Sequence, residues 1–311
     1  MSTLATGTPQ VVAAGGCVTL SATTGLALPI IEKSLDEDNF SWRASLNWKA
    51  TPDILLYANA TKGYKAGSFP TLPGAVDDQF TPVRQESVQA YEIGGKFSLM
   101  NRRLQIDGAA FHYDYDDKQL PGFRGVQPFG PLPGLVSIPK SRVSGFEINA
   151  QLQPAEGLTL SLGGTYLDTK VKADPANPTG AFGTSGSFVG QSFPFTPRWQ
   201  GVADAEYRFG ISSSAELFLG GTVTGRSGTK GALLNGTGAA AVAEQALLIP
   251  GYALLDLRLG VEDADRKWRV EIWGRNVTDR YYMTNATRVA DWVLRFAGYP
   301  ASCGVTVKFR M

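Results

Sequence analysis

The stretch that decides the fold is Gly304–Met311, "GVTVKFRM". Val305, Val307, Phe309 and Met311 fall on one side of an extended chain, and Thr306, Lys308 and Arg310 on the other. Strict alternation is the period of a half-buried β-strand. Terminal residues ordinarily fray, so a faultless strand at the end of the sequence calls for a neighbour that holds it.

The same period recurs upstream. Phe40, Trp42, Ala44, Leu46 and Trp48 alternate with Ser41, Arg43, Ser45, Asn47 and Lys49. Tyr91, Ile93, Gly95, Phe97 and Leu99 alternate with Glu92, Gly94, Lys96 and Ser98, and Phe146, Ile148, Ala150 and Leu152 with Glu147, Asn149, Gln151 and Gln153. Two further runs behave alike, Trp199–Phe209 and Ala253–Glu262. In all, the pattern predicts about eleven strands, beginning near Phe40, Ile54, Glu86, Leu104, Arg142, Leu158, Trp199, Ala215, Tyr252, Trp268 and Gly304. Most approach the roughly 9–11 residues that carry a tilted strand across a bilayer. Helical periodicity is absent apart from one short loop helix expected within Gly238–Leu248.

The predicted connections alternate in length. Short turns are expected at Ala50–Asp53, Met100–Arg103, Pro154–Gly157, Gly210–Ser214 and Asp263–Lys267. Long loops are expected at Tyr64–Gln85, Asp117–Ser141, Val171–Arg198, Gly225–Gly251 and Val277–Cys303. Sorting by end in this way belongs to transmembrane barrels, with short turns on one side of the membrane and long loops on the other. Aromatics near the proposed strand ends fit interfacial girdles: Trp42, Trp48, Tyr113, Tyr115, Trp199, Tyr207, Phe209 and Trp268. The fold class read from sequence is all-β, an antiparallel transmembrane β-barrel.

Composition narrows the function. The 311 residues carry 29 basic and 28 acidic side chains, net +1, which excludes the basic footprint of a nucleic-acid binder. The most apolar region, Ala246–Leu259, is interrupted by Pro250, Gly251, Asp256 and Arg258, so no helix of it spans a bilayer. Cys17 and Cys303 are too few for a metal motif; a disulfide between them and two free thiols are both compatible with the sequence. Met1–Gly16 lacks the basic start of a signal peptide. His112, the single histidine, is expected to be a polar lumen residue. "GTVTGRSGTKG", Gly221–Gly231, lacks the closing Gly-Lys-Ser/Thr of a phosphate loop and is expected to be an outside loop. "DEDN" and "DYDD", Asp36–Asn39 and Asp114–Asp117, lack calcium-loop spacing. Neither a catalytic constellation nor a cofactor signature is found, so the chain is read as no enzyme. Charges on the polar alternate positions, among them Arg43, Lys96, Glu147, Asp204, Arg258 and Glu271, are expected to line a wet lumen, and Phe69, Phe123, Phe129 and Phe195 to sit in outside loops.

Four segments carry a resemblance. "LLYANATKGYKAGSFPT", Leu55–Thr71, supplies Tyr57, Gly63, Tyr64, Lys65, Gly67 and Phe69; "ESVQAYEIGGKF", Glu86–Phe97, supplies Glu92, Gly94 and Lys96. "SRVSGFEINAQ", Ser141–Gln151, opens a strand with Gly145, Phe146 and Glu147, and "WGRNVTDRYY", Trp273–Tyr282, contains Asn276, Asp279 and Tyr282 in an Asn-x-x-Asp-x-x-Tyr element. In this order and spacing they resemble the C-terminal part of a TonB-dependent outer-membrane receptor, from about Phe40 onward. The closing row Val305, Val307, Phe309 and Met311 resembles the C-terminal assembly signal of outer-membrane proteins, with Met311 where an aromatic usually stands.

The resemblance implies a barrel of about 22 strands with a plugged lumen, of which about eleven are here. It implies a bacterial outer-membrane location and active uptake of a siderophore-iron, cobalamin or glycan ligand. The implied partners are outer-membrane lipid and lipopolysaccharide, the barrel-assembly machinery, and the TonB complex acting through a plug domain that this sequence lacks. Residues 40–311 then form the C-terminal part of the barrel, and residues 1–39 an extracellular loop or a non-native segment of what is expected to be a fragment. A passive porin-like channel and an outer-membrane enzyme with its site at the barrel mouth are the alternatives.

Overall fold

A computed structural model describes residues 19–310, apart from 22, 29–30, 71–73, 75, 127–129 and 290. Met311, Phe129 and the pairing of Cys17 lie outside the described residues; Cys303 is exposed as a free thiol. The strands are β1 (Trp42–Thr51), β2 (Ile54–Lys65), β3 (Glu86–Leu99), β4 (Leu104–Val126), β5 (Gly130–Ala155), β6 (Leu158–Ala173), β7 (Trp199–Gly210) and β8 (Ala215–Arg226). There follow β9 (Thr229–Lys230), the helix α1 (Ala239–Glu244), β10 (Leu248–Ile249), β11 (Tyr252–Asp263), β12 (Trp268–Arg275), β13 (Met283–Val289), β14 (Trp292–Ala297) and β15 (Ser302–Phe309). Eleven of them make one antiparallel sheet in the order β1-β2-β3-β4-β5-β6-β7-β8-β11-β12-β15, and β9–β10 and β13–β14 are separate small pairs.

Register confirms the two faces. Across β8, β11, β12 and β15 the row Leu219, Leu259, Ile272 and Val305 is in line, and the row beside it runs Phe218, Gly260, Glu271 and Thr306. The first face is apolar and bare: Ile93, Leu257, Ile272, Val305 and Phe309 all stay about half exposed or more. A soluble sheet would cover such a face, whereas a membrane covers it with acyl chains. No helix among the described residues is long and apolar enough to cross a bilayer, and the strands supply the crossing instead.

The short turns fall where the alternation stops. In the β5–β6 turn, Gly157 has φ +76, and a Cβ there would lie 2.0 Å from the Arg208 carbonyl oxygen. Glycine is required on both counts. At the other end, the long connections fold on one another into the molecule's dry cores. Phe123, Ala181, Leu247, Ile249, Met283 and Ala286 form one, and Ile138, Val171, Phe188, Phe193 and Leu233 a second.

Four expectations are corrected. The predicted loop Asp117–Ser141 is instead a hairpin, because β4 and β5 continue past the membrane with Lys118–Val126 paired to Gly130–Ile138. Most of Val277–Cys303 is likewise structured, as the β13–β14 hairpin. Tyr113 and Tyr115 lie on the polar side with Phe111, not in an outer girdle, while Trp42, Trp48, Trp199 and Trp268 do face outward. His112 sits in the outward row with Tyr91 and Ser144, so it is not a lumen residue. The expected loop helix is present as α1.

The two faces make opposite demands on substitution. Leu257→Lys, on the outward face near the middle of β11, should cost about 2–4 kcal/mol of stability in lipid, and Thr224→Lys on the polar face of β8 should cost little. Denaturant unfolding in vesicles measures both; equal costs would contradict the assignment of faces.

Candidate functional site

From the loop end to the turn end, the polar face offers three successive environments. The first is a cavity of about 370 Å³ among the loops. Ser68, Phe69 and Pro70 line it from the β2–β3 connection, and Pro121, Gly122, Phe123, Pro133, Gly134 and Leu135 from the β4–β5 hairpin. Phe195, Gly231, Ala232 and Thr287 close it from the opposite side. Among the described residues no charged side chain lines it, three aromatic rings do, and the prolines give it stiff walls. Arg288 is packed nearby, over the Phe182 ring at 5.0 Å, with Nη1 donating to the Ala181 carbonyl.

Lys230 props the opposite wall from behind. Its ammonium donates to Gln191 Oε1 at 2.6 Å, the same oxygen that accepts from the Leu234 amide at 3.1 Å, and Phe195 N donates to the Lys230 carbonyl at 2.8 Å. Burial pulls the Lys230 ammonium from its ordinary 10.5 down to about 8, with Glu244 pulling the other way. Glu244 is itself buried and accepts from Asn235 N and Gly236 N at 3.0 and 2.9 Å.

The second environment is a groove of about 530 Å³ on the sheet itself. Its sides are Glu147, Asn149, Thr165, Gln200, Thr224 and Arg226, and its floor includes Gly163 and Gly201. Arg226 lies 4.9 Å over the Tyr252 ring and donates to the Met283 carbonyl. The third is a closed set of ion pairs. Arg258 donates to Asp204 at 2.7 and 2.9 Å and to Glu206 at 2.9 Å, and Arg208 reaches Glu206 and Glu262, both at 2.7 Å. Arg269 pairs with Glu262 at 3.4 Å and with Glu271, and its guanidinium lies 3.8 Å over the buried Phe218 ring. The polar face thus runs from an uncharged cavity at the loop end to a charge-lined wall at the turn end. Among the described residues no group of three His, Cys, Asp or Glu side chains is placed to hold a metal ion.

Residues 19–277 match the family model described as TonB dependent receptor-like, beta-barrel. The chain belongs to this family, one of outer-membrane transport receptors in Gram-negative bacteria. The metal-pseudopaline receptor CntO of Pseudomonas aeruginosa is 29% identical over 173 residues, 52% of this chain and 22% of that protein. The probable TonB-dependent receptor BfrD of Bordetella pertussis is 28% identical over 188 residues, 56% of this chain and 22% of that protein. In structure, the ferric yersiniabactin uptake receptor FyuA from Yersinia pestis superposes with a TM-score of 0.65 at 18% identity, over 86% of this chain and 36% of that one. The alignments thus span about a fifth of either sequence relative.

The receptor-like motif residues do not form one site. Tyr57, Glu92, Gly94, Gly145 and Glu147 share the polar face of β2, β3 and β5. There Asn59 Nδ2 donates to Glu92 Oε1 at 3.4 Å, and a Cβ on Gly94 would stand 2.4 Å from the Tyr57 ring, so the glycine lets that ring lie flat. Lys96 continues this face, level with Asp107. Gly63, Tyr64 and Lys65 end β2 at the loop side, Gly67 N donates to Glu37 Oε2 at 2.9 Å, and Phe69 alone of the set enters the pocket. Phe146 faces outward. Val305, Val307 and Phe309 lie on the bare apolar face of β15.

Asn276, Asp279 and Tyr282 are a loop latch. Asn276, 3% exposed with φ +47, donates Nδ2 to the Arg280 and Tyr299 carbonyls at 3.0 and 3.2 Å and accepts from Arg280 N at 2.9 Å. Asp279 Oδ1 accepts from Ala301 N at 2.9 Å, and the Tyr282 ring packs 4.5 Å from Tyr252 and against Gly298. The "GTVTGRSGTKG" stretch is the end of β8 and β9, and not a loop throughout as expected. Pocket residues such as Pro121, Pro133 and Thr287 escape sequence reading, because they come from separate segments and carry no period.

Asn276→Ala should cost about 1–3 kcal/mol by stranding the buried partners of the amide, and should speed proteolysis between residues 276 and 301. Unchanged cutting would dismiss the latch. Lys230 gives a pH effect of definite sign. Its charged form is disfavoured in the folded loop, so the penalty stands in full below about pH 8 and lifts as pH rises toward the ordinary 10.5. Protection of residues 227–251 from proteolysis should therefore rise between about pH 7.5 and about 10, and Lys230→Met should flatten that rise. A flat profile in the unaltered protein would contradict the burial of this ammonium.

Proposed function

We propose that the chain is barrel and loop structure of a receptor for TonB-dependent uptake of a metal–siderophore complex through the outer membrane. The observation that carries the reading is the pocket of Phe69, Phe123 and Phe195, uncharged and stiff-walled at the loop end of a charge-lined sheet. Such a cavity suits a chelate that presents an apolar or aromatic surface while its metal charge is already satisfied. Cobalamin and glycans are the other classes in the family resemblance; glycans fit less well, because a sugar needs several polar partners from the wall.

In this reading the ligand enters from the loop side. A plug acted on by the TonB complex fills the lumen against the groove and the ion pairs. The barrel-assembly machinery reads the outward row Val305, Val307 and Phe309. Residues 19–39 belong with the outside loops: Leu20 packs with Val76 and Leu132, and Glu37 accepts amides from both Gly67 and Gln85.

Deleting the gene in its source organism and feeding radioactive iron as a panel of ferric chelates, alongside cobalamin, tests the proposal. Uptake of one chelate should disappear, should disappear equally without TonB, and should fall at least about tenfold with Phe123→Ala and Phe195→Ala together. Uptake that persists without TonB would favour a passive channel and overturn the proposal.

A further inference from the structure

The outward face should end in lipid, yet over β4–β6 and at the start of β7 it ends in charge. The top apolar row is Ile93, Ala110, Phe146, Tyr166 and Trp199. Three of its rings form a cluster, with Phe146–Tyr166 stacked at 5.5 Å, Phe146–Trp199 edge-on at 5.7 Å and Tyr166–Trp199 tilted at 4.5 Å between centroids. Two residues further along the strands lie His112, Ser144 and Asp168; two more bring Asp114, Arg142 and Lys170; two more bring Asp116 and Lys140. Lys62 on β2 and Arg198 just before β7 flank this belt.

Five cations thus share three acids. Lys62 and Lys140 both reach Asp116, the former at 3.9 Å. Arg142 and Arg198 both reach Asp168, at 3.7 and 3.6 Å. Asp114 reaches only His112, at 3.3 Å. Lys170 has no ion-pair partner among the described residues, and the Arg142 Nε–H is shut from solvent with nothing to donate to. Apart from the close Lys140–Asp116 contact, the lysine and arginine pairs are long, and the cations outnumber the carboxylates they face. Nothing transported through the lumen touches this surface, so uptake does not account for it.

We propose that the belt is a docking site for the phosphorylated glucosamine head of lipopolysaccharide, the anionic lipid of the outer leaflet. The inference rests on the outer-membrane reading above. Lys140, Arg142 and Lys170 stand four to six residues beyond the aromatic row, roughly 13–20 Å along the strands before tilt. That separation sets cations at headgroup height while acyl chains lie against Phe146, Tyr166 and Trp199. The guanidinium of Arg142 offers a paired donor edge to a phosphate, and Lys140 and Lys170 act as point charges on either side.

The test uses the protein extracted from its own outer membranes, with bound lipopolysaccharide quantified by its phosphate and sugar. Lys140→Gln, Arg142→Gln and Lys170→Gln together should weaken retention roughly a hundredfold, three cations at a factor of about five each. Lys140→Arg with Lys170→Arg should keep it, and Arg266→Gln with Lys267→Gln in the opposite turn should not alter it. Return to discs of lipopolysaccharide or of phosphatidylglycerol separates the sources. Loss for lipopolysaccharide alone supports the site, whereas equal loss for both lipids reduces it to general anionic attraction and overturns it. A triple variant that reaches the outer membrane and retains lipopolysaccharide as before overturns the docking site only. Absence of the unaltered protein from that membrane overturns the receptor reading with it.

Discussion

In hydrocarbon a backbone N–H or C=O has no water to turn to, and this requirement governs the rest of the chain. Each strand must be paired along its whole membrane-crossing length. Eleven strands meet it by running antiparallel to their sequence neighbours, with the small pairs β9–β10 and β13–β14 kept in the loops. Neighbour pairing needs only tight turns on one side of the membrane, leaving the other free for the long connections that build the pocket. The dry cores lie among those connections for the same reason: the sheet has lipid on one face and a wet interior on the other.

Register follows from the same constraint. Slipping β11 by one residue would turn Asp256, Arg258 and Glu262 into lipid and five apolar residues inward. At about 2–4 kcal/mol for a cation at mid-membrane, a slip is excluded on Arg258 alone. The ion pairs of Arg208, Arg258 and Arg269 then add direction to a register the membrane already fixes. Because they stay partly solvated, their geometry matters more than their energy.

The sheet was legible because its period is imposed by lipid at every second residue. Where that pressure ends, so does the reading. β5 begins at Gly130 and not near Arg142, since Pro131, Pro133 and Pro139 interrupt the alternation although the strand continues outside the membrane. Tyr113 and Tyr115 carry no sign of their side, because a tyrosine suits both an interface and a wet lumen. Only counting from Phe111, level with Gly145 and one residue from Phe146's neighbour Ala110, resolves the side. The same count from Phe146 to Ser144 and Arg142 would have placed His112 outward. The pocket had no such ruler: Phe69, Phe123 and Phe195 meet through loop packing between distant segments.

Parity gives the last constraint. In an antiparallel sheet of eleven strands the first and last, β1 and β15, point the same way, and among the described residues each has one unpaired edge. Joining those edges directly would make a parallel seam. A second copy related by rotation about the barrel axis would make two, because its strands would keep the same directions. A flipped copy would pair antiparallel but would send its loops to the wrong side of the membrane. Antiparallel seams all round a barrel need an even number of strands, which these eleven taken by themselves do not give. β1 is exposed along all ten of its residues, as a strand paired on one side only is.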